Sequence, residues 1–110
     1  MKLYIATPIN ARKEKTFNEK RRAARHRVEL LKEVISEDER FRGYELVSVF
    51  DYKGVGRNAE NFMLGVCVTL VLDSDAIYLD HGWQASKGCN LEYRAAKIYD
   101  KTIYEHDKLY

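Results

Sequence analysis

The residue with the clearest chemical potential in the sequence is Glu92. It follows Ser86 by six positions and Gly88 by four, within a stretch whose pattern predicts a helix over 87–99. Helical side chains lean toward the helix N-terminus, so Glu92 should lie over Gly88, which has no side chain to block it. Ser86 should cap the helix by accepting a hydrogen bond from a backbone N–H near Cys89. In an open α/β sheet, such a junction between a strand end and a helix start is where ligands bind.

A second interpretation of Glu92 stays open at this point. The apolar stripe of the helix, formed by Leu91, Ala95 and Ile98, is expected to face the core, with Glu92 at its border. A carboxylate among apolar neighbours costs desolvation energy unless it is paired. Glu92 is therefore either a functional carboxylate or a rim residue that pairs with a basic neighbour on the same helix.

Alternating strand-like and helix-like stretches must position this carboxylate. Short apolar runs predict strands at 2–7, 44–50, 76–79 and 102–105, and helical spacing predicts helices at 13–36, 58–72 and 87–99. Such alternation gives a parallel sheet with right-handed crossovers and helices on both faces. The sequence therefore predicts one α/β domain over residues 1–110, a small doubly wound, flavodoxin-like (Rossmann-like) fold.

Three loops should meet at the carboxyl edge of this sheet, at 7–12, 51–58 and 80–88. The first helix is expected to bury Phe17, Ala24, Val28, Leu31 and Ile35. The β-branched residues of 66–72 leave a strand as the alternative to a helix there, and 107–110 is expected to be a tail.

Composition excludes several classes of protein. Hydrophobic residues make up 45% and charged residues 33%, as in ordinary globular domains, and the net charge of +2 is too small to argue for polymeric nucleic acid. No apolar run is long enough for a membrane span, and no signal-peptide pattern is present. Cys67 and Cys89 with three scattered histidines show no metal-ligand spacing, so no metal is expected, and a reducing cytoplasm is favoured. The absence of a G-x-G-x-x-G or P-loop motif argues against dinucleotide cofactors, and we expect no cofactor.

The stretch from Arg12 to Lys32 is rich in Lys and Arg. It is either a solvated helix face or the source of a positive field beside a pocket for an anionic ligand.

The pattern DAIYL…GW..SKG…E..AA, preceded by LYIATPI, resembles the nucleoside 2-deoxyribosyltransferase-like superfamily. It is most similar there to small bacterial and phage domains of unknown function, and is also similar to the 2'-deoxynucleoside 5'-phosphate N-hydrolases. The spacing of Ser86, Gly88 and Glu92 is the most specific part. The resemblance implies a small-molecule nucleoside or nucleotide as ligand, and a homodimer or higher homo-oligomer.

The resemblance also implies residue roles. Glu92 would be the nucleophile that attacks the anomeric carbon, Tyr4 would hydrogen-bond it or the sugar, and Ser86 with Gly88 would cradle a 5'-phosphate. The pocket would be lined by the loop residues Thr7, Pro8, Ile9 and Asn10. Arg12, Asp80, Trp83 and Lys87 are further binding candidates, although Trp83 is equally an interface or core aromatic and Lys87 equally a surface lysine.

Two positions depart from this pattern. Cys67 stands where the nucleotide hydrolases have an acid that handles the leaving base, and Asn10 stands where they have an arginine. Leaving-group protonation would then fall to Asp51, Asp80 or His81. The leading hypothesis is thus an enzyme that cleaves or transfers an N-glycosidic bond, and the alternatives are a non-catalytic nucleotide-binding or sensor domain and an interaction domain.

Overall fold

A computed structural model describes residues 1–9, 12–13, 16–51 and 60–110, with 60–64 described by their backbone alone. Its four strands are β1 (Lys2–Ala6), β2 (Glu45–Val47), β3 (Ala76–Leu79) and β4 (Thr102–Glu105). Its helices are α1 (Phe17–Ser36), α2 (Glu60–Leu72), α3 (Lys87–Ile98) and the short α4 (His106–Leu109). The strands form one parallel sheet in the order β2-β1-β3-β4. The predicted flavodoxin-like α/β fold is confirmed.

Strand alternation divides the interior into two cores, one on each face of the sheet. Leu3 and Ile5 of β1 face α1 and pack with its buried residues Val28, Leu31 and Ile35. Tyr4 and Ala6 point to the opposite face and share a core with residues of α2 and α3. The period-two alternation of β1 therefore sends the Tyr4 side chain to the same side as α3.

Helix α1 begins later than the predicted position 13. Thr16 caps it by accepting a hydrogen bond from the Glu19 N–H at 3.1 Å, so the helix starts at Phe17. The predicted burial of Ala24, Val28, Leu31 and Ile35 is confirmed, whereas Phe17 is 40% exposed at the first turn.

Strand β2 is shorter than the predicted 44–50. The Asp51 carboxylate accepts a hydrogen bond from the Ser48 N–H at 2.9 Å, and the Ser48 hydroxyl accepts one from the Phe50 N–H at 3.2 Å. These side-chain acceptors compete with the strand ladder, and the chain turns into a 3-10 helix at Val49–Asp51.

The stretch 66–72 is helical, as the main prediction had it, and the predicted strand 102–105 is confirmed. The predicted tail is instead α4, which is held by a hydrogen bond between the Tyr78 hydroxyl and His106 Nδ1 at 2.6 Å. No helix in the described ranges is long and apolar enough to cross a membrane.

The predicted core stripe of α3 is wrong. Leu91 is 42% exposed and Ile98 is 72% exposed, whereas Cys89, Glu92 and Ala96 are the buried residues of the helix. The buried face of the helix is shifted by one sequence position from the expected face. This shift places Glu92 in the centre of the buried stripe.

Candidate active site

A cavity of about 540 Å³ opens at the carboxyl edge of the sheet, next to the start of α3. Its volume lies in the range of sites for small organic ligands. Tyr4 and Glu92 line it together with three residues that begin α3, Ser86, Lys87 and Gly88. Thr7 and Ile9 line it from the loop after β1. The structure therefore brings together seven of the predicted site residues.

Glu92 is only 4% exposed, and it is the charged residue buried in α3. Burial, with no cationic partner among the residues that the structure describes, favours the protonated carboxyl group and raises the pKa of Glu92 from its usual 4.5 to about 7. Hydrogen bonds from the side chains of Tyr4 and Cys67 favour the ionised form and limit this rise in pKa. The predicted alternative, a rim carboxylate paired with a basic neighbour on α3, is wrong because the Glu92 side chain is buried rather than at the rim.

Tyr4 reaches the Glu92 carboxyl group from β1. The Tyr4 ring is buried, and burial together with the nearby Glu92 raises the pKa of its hydroxyl well above the usual value. A tyrosine in this state keeps its proton at neutral pH, so it acts as a hydrogen-bond donor to the carboxylate.

Two buried oxygen atoms in the cavity lack a hydrogen-bond partner within the described part of the chain. They are Oε2 of Glu92 and Oγ1 of Thr7. Buried polar atoms are rarely left unpaired in proteins, since each costs about 1–3 kcal/mol of desolvation. Two such atoms in residues that line one cavity are typical of a site that binds a polar ligand.

The start of α3 is firmly built. The Ser86 hydroxyl accepts a hydrogen bond from the Cys89 N–H at 3.2 Å, which confirms the predicted cap. The Asn90 side-chain amide donates to the carbonyl oxygens of Gln84 at 2.9 Å and of Ser86 at 2.8 Å. Asn90 thus clamps the loop before α3, a role the sequence analysis missed because a lone Asn in a helical first turn has many other uses.

Basic side chains stand around the cavity. Lys20 and Arg21 of α1 line it opposite Lys87. The N-terminal turn of a helix also attracts anions, because its N–H groups have no acceptors within the helix. Of the two interpretations of the basic stretch in α1, the cavity location of Lys20 and Arg21 favours a positive field beside a pocket.

Four predicted binding residues lie elsewhere. Pro8, Arg12 and Asp80 line a second cavity of about 660 Å³, which contacts the first at Ala85. The indole of Trp83 packs against Tyr93, with ring centroids 4.8 Å apart, and donates a hydrogen bond to Glu105 at 3.2 Å. Trp83 is therefore a packing residue rather than a stacking platform in the main cavity.

Asp80 is engaged by an ion pair that the sequence analysis did not foresee. Arg27 Nη2 donates to Asp80 Oδ1 at 2.8 Å, and Arg27 Nε donates to Oδ2 at 3.0 Å. The two residues are 53 positions apart, so local spacing carries no signal of the pair. Asp75, in contrast, braces the start of β1, because its carboxylate accepts a hydrogen bond from the Lys2 N–H at 2.7 Å.

Asn10 and most of the predicted loop 51–58 lie outside the described residues. Within the described ranges, no group of three or more His, Cys, Asp or Glu side chains is arranged to hold a metal ion.

The fold and the cavity together define a small flavodoxin-like domain with a buried carboxyl group facing a ligand-sized space. Residues 1–105 match the family described as Domain of unknown function (DUF4406), and the chain belongs to this family. Neither a curated protein nor a solved structure matches the chain.

Proposed function

We propose that this domain cleaves or transfers the N-glycosidic bond of a 2'-deoxynucleoside 5'-monophosphate, with Glu92 as nucleophile. The observation that carries the proposal is the buried Glu92 carboxyl group: its Oε2 has no hydrogen-bond partner among the described residues, and Glu92 lines the cavity together with Tyr4. Solvent exclusion at such a carboxylate strengthens its interaction with positive charge that develops at an anomeric carbon.

The chemistry takes two steps. The ionised Glu92 attacks C1' of the sugar, and a glycosyl ester forms on Glu92. The electron pair of the bond from C1' to the base leaves with the base, which takes up a proton from solvent. Water then attacks C1' and releases the sugar phosphate, or a second base attacks it and gives transfer. Tyr4 is suited to hold the carboxylate oriented by donating its hydroxyl proton in a hydrogen bond.

The basic rim supports a 5'-phosphate on the substrate. Lys20, Arg21 and Lys87 supply positive charge at the cavity, and the first turn of α3 offers backbone N–H groups. A 5'-phosphate carries charge opposite in sign to this rim, which favours the monophosphate as the ligand.

Base release tests this proposal. Purified protein is incubated with each of the four 2'-deoxynucleoside 5'-monophosphates, and free base is followed by chromatography. We expect release by the wild type and a loss of at least about 1,000-fold in Glu92→Gln, which keeps the shape but removes the nucleophile. Equal background release by the two proteins contradicts the proposal.

The pH dependence of kcat/KM also tests the proposed role of Glu92 as nucleophile. Because the nucleophile must be ionised and the pKa of Glu92 is about 7, kcat/KM should rise with pH through neutrality and level off above it. A fall through the same range would assign Glu92 the role of an acid.

A second candidate function is nucleotide binding without turnover. Cys67 favours it, because burial raises the pKa of this thiol to about 12 and leaves a poor proton donor beside Glu92. A deoxynucleotide that raises the melting temperature while no base is released would select this function over the enzyme.

A further inference from the structure

The group beside Glu92 on α2 is a neutral thiol. Cys67 lines the cavity, and its side chain interacts with both Tyr4 and Glu92. Burial and the neighbouring carboxyl group raise the pKa of Cys67 to about 12. Since a thiol with this pKa is a poor acid at neutral pH, Cys67 does not supply a proton to a departing base.

The other side chains that the sequence offered for this role are engaged elsewhere. Asp80 is held by Arg27, and His81 Nδ1 lies 2.8 Å from an Asp107 carboxylate oxygen, both at the second cavity. The carboxylate of Asp51 accepts hydrogen bonds from the Lys32 ammonium group at 2.9 Å and from a backbone N–H. Asp51 and Asp80 each form an ion pair, and neither they nor His81 line the cavity that holds Glu92.

Aromatic rings line the part of the cavity formed by α1 and the segment after β2. Phe17 stands at the first turn of α1 with 40% of its surface exposed, and Phe50 lies nearby in the lining. The guanidinium carbon of Arg25 is 5.7 Å from the centroid of the Phe50 ring, so this ring already contacts a cation. Aromatic faces attract positively charged planar groups.

We propose that the domain acts on N-glycosides whose base already carries a positive charge, with N7-alkylated purine nucleotides as the type of substrate. The inference rests on the proposed function and narrows its substrate class. A cationic base departs as a neutral molecule, so it needs no proton from the site. Phe17 and Phe50 would face the charged ring, while the basic rim takes the 5'-phosphate.

The bonds and charges balance without a further reactant. Glu92 forms an ester bond to C1', and the electron pair of the bond from C1' to N9 moves into the positively charged purine, which leaves neutral. Water then adds to C1', the Glu92 carboxylate is released, and one proton passes to solvent. The net reaction is hydrolysis of a cationic nucleotide to a neutral base, a sugar phosphate and a proton.

The test uses two substrates that differ by one methyl group and one charge. They are 2'-deoxyguanosine 5'-monophosphate and its N7-methyl derivative, each corrected for the base that Glu92→Gln releases from it. We expect kcat/KM for the methylated nucleotide to be higher by about 100-fold or more, the size of a missing general-acid contribution. Comparable kcat/KM values overturn the inference while leaving the proposed function intact, and release of neither base overturns both.

A variant at the thiol gives a second, independent outcome. Cys67→Asp introduces a carboxyl group beside Glu92, and it should raise turnover of the unmethylated nucleotide by about tenfold or more without raising that of the methylated one. Cys67→Ser, which stays neutral and of similar size, is the matched control: the ratio of kcat/KM for the methylated nucleotide to that for the unmethylated one should stay as in the wild type. An equal gain for both substrates in Cys67→Asp contradicts the inference.

Discussion

Glu92 has no cationic partner among the described residues, and the described side chains that hydrogen-bond its carboxyl group are Tyr4 and Cys67. Such an arrangement costs stability whenever the group is ionised, because burial penalises the charged form. Buried titratable groups whose pKa values are shifted and that line a cavity cluster at functional sites. The cost is therefore itself an argument for function.

This cost predicts how stability depends on pH. The pKa of Glu92 is about 7 in the folded protein against its usual 4.5, so the folded state binds the proton more tightly. The stabilisation is complete below pH 4.5 and is lost as pH rises toward 7, by roughly 3 kcal/mol. Glu92→Gln has no such proton, so it should be more stable than the wild type by up to about this amount at pH 8.

Urea denaturation of the two proteins at pH 4.5, 6 and 8 measures the difference in the free energy of unfolding. Glu33→Gln, at an exposed position of α1, is the control and should show no such trend. A constant difference between wild type and Glu92→Gln across this range would contradict a raised pKa.

The sequence predicted the neighbours of Glu92 better than it predicted which face of α3 is buried. Its spacing from Gly88 and Ser86 indicated a carboxylate aimed at the helix start, and the structure places all three in one cavity. The predicted core-facing stripe of α3 was wrong because Leu91 and Ile98 were assigned to the core from their hydrophobicity alone. Hydrophobic residues are common on surfaces, so the buried polar residue was the informative one.

At the scale of elements, a long-range ion pair ties α1 to the loop that carries the site. Arg27 donates hydrogen bonds to the Asp80 carboxylate from two nitrogen atoms. The buried carboxylate also accepts a hydrogen bond from the His81 N–H at 2.7 Å. This loop leads from β3 into Ser86 and the start of α3. The pair therefore holds the segment that presents the cavity.

Removing the arginine leaves a buried carboxylate without its partner. Arg27→Ala should lower the free energy of unfolding by about 2–3 kcal/mol, less than for a fully buried pair because the Arg27 side chain is 34% exposed. Arg22→Ala, an exposed arginine of the same helix, is the matched control and should cost less than about 0.5 kcal/mol.

The double variant Arg27→Ala with Asp80→Asn separates the pair from general damage. It should recover part of the loss, because no uncompensated charge remains. Equal urea midpoints for Arg27→Ala and Arg22→Ala would show that the ion pair does not hold the loop.

Element order followed from periodicity, but element ends did not. The alternation of apolar runs predicted four strands and three long helices in the right order. The ends at Phe17 and Val47 depend on side-chain hydrogen bonds at Thr16, Ser48 and Asp51, which compete with regular backbone pairing. Helix α4 depends on contacts with Tyr78 and His81, which are distant in sequence, so local periodicity carries no signal of this helix.

At the scale of the molecule, the parallel sheet concentrates chemistry at one edge. The carboxyl ends of β1 and β3 lie side by side, and both cavities open where their loops meet. Helix α3 has an exposed face that carries the apolar residues Leu91 and Ile98, and the exposed Tyr99 follows at the end of the helix. A homo-oligomer remains a prediction from the family resemblance, and this exposed face of α3 would suit such contacts.

The proposed role of Glu92 as nucleophile requires a covalent bond between Glu92 and the sugar during turnover. A 2'-fluoro analogue of the deoxynucleotide slows the breakdown of a glycosyl ester, because the electron-withdrawing fluorine destabilises positive charge at C1'. Intact-protein mass spectrometry after acid quench, followed by peptide mapping, measures whether the sugar phosphate is attached and where. We predict a single adduct on Glu92 that is missing in Glu92→Gln. Base release with no adduct, or with an adduct on another residue, would contradict the assignment of Glu92 as the nucleophile.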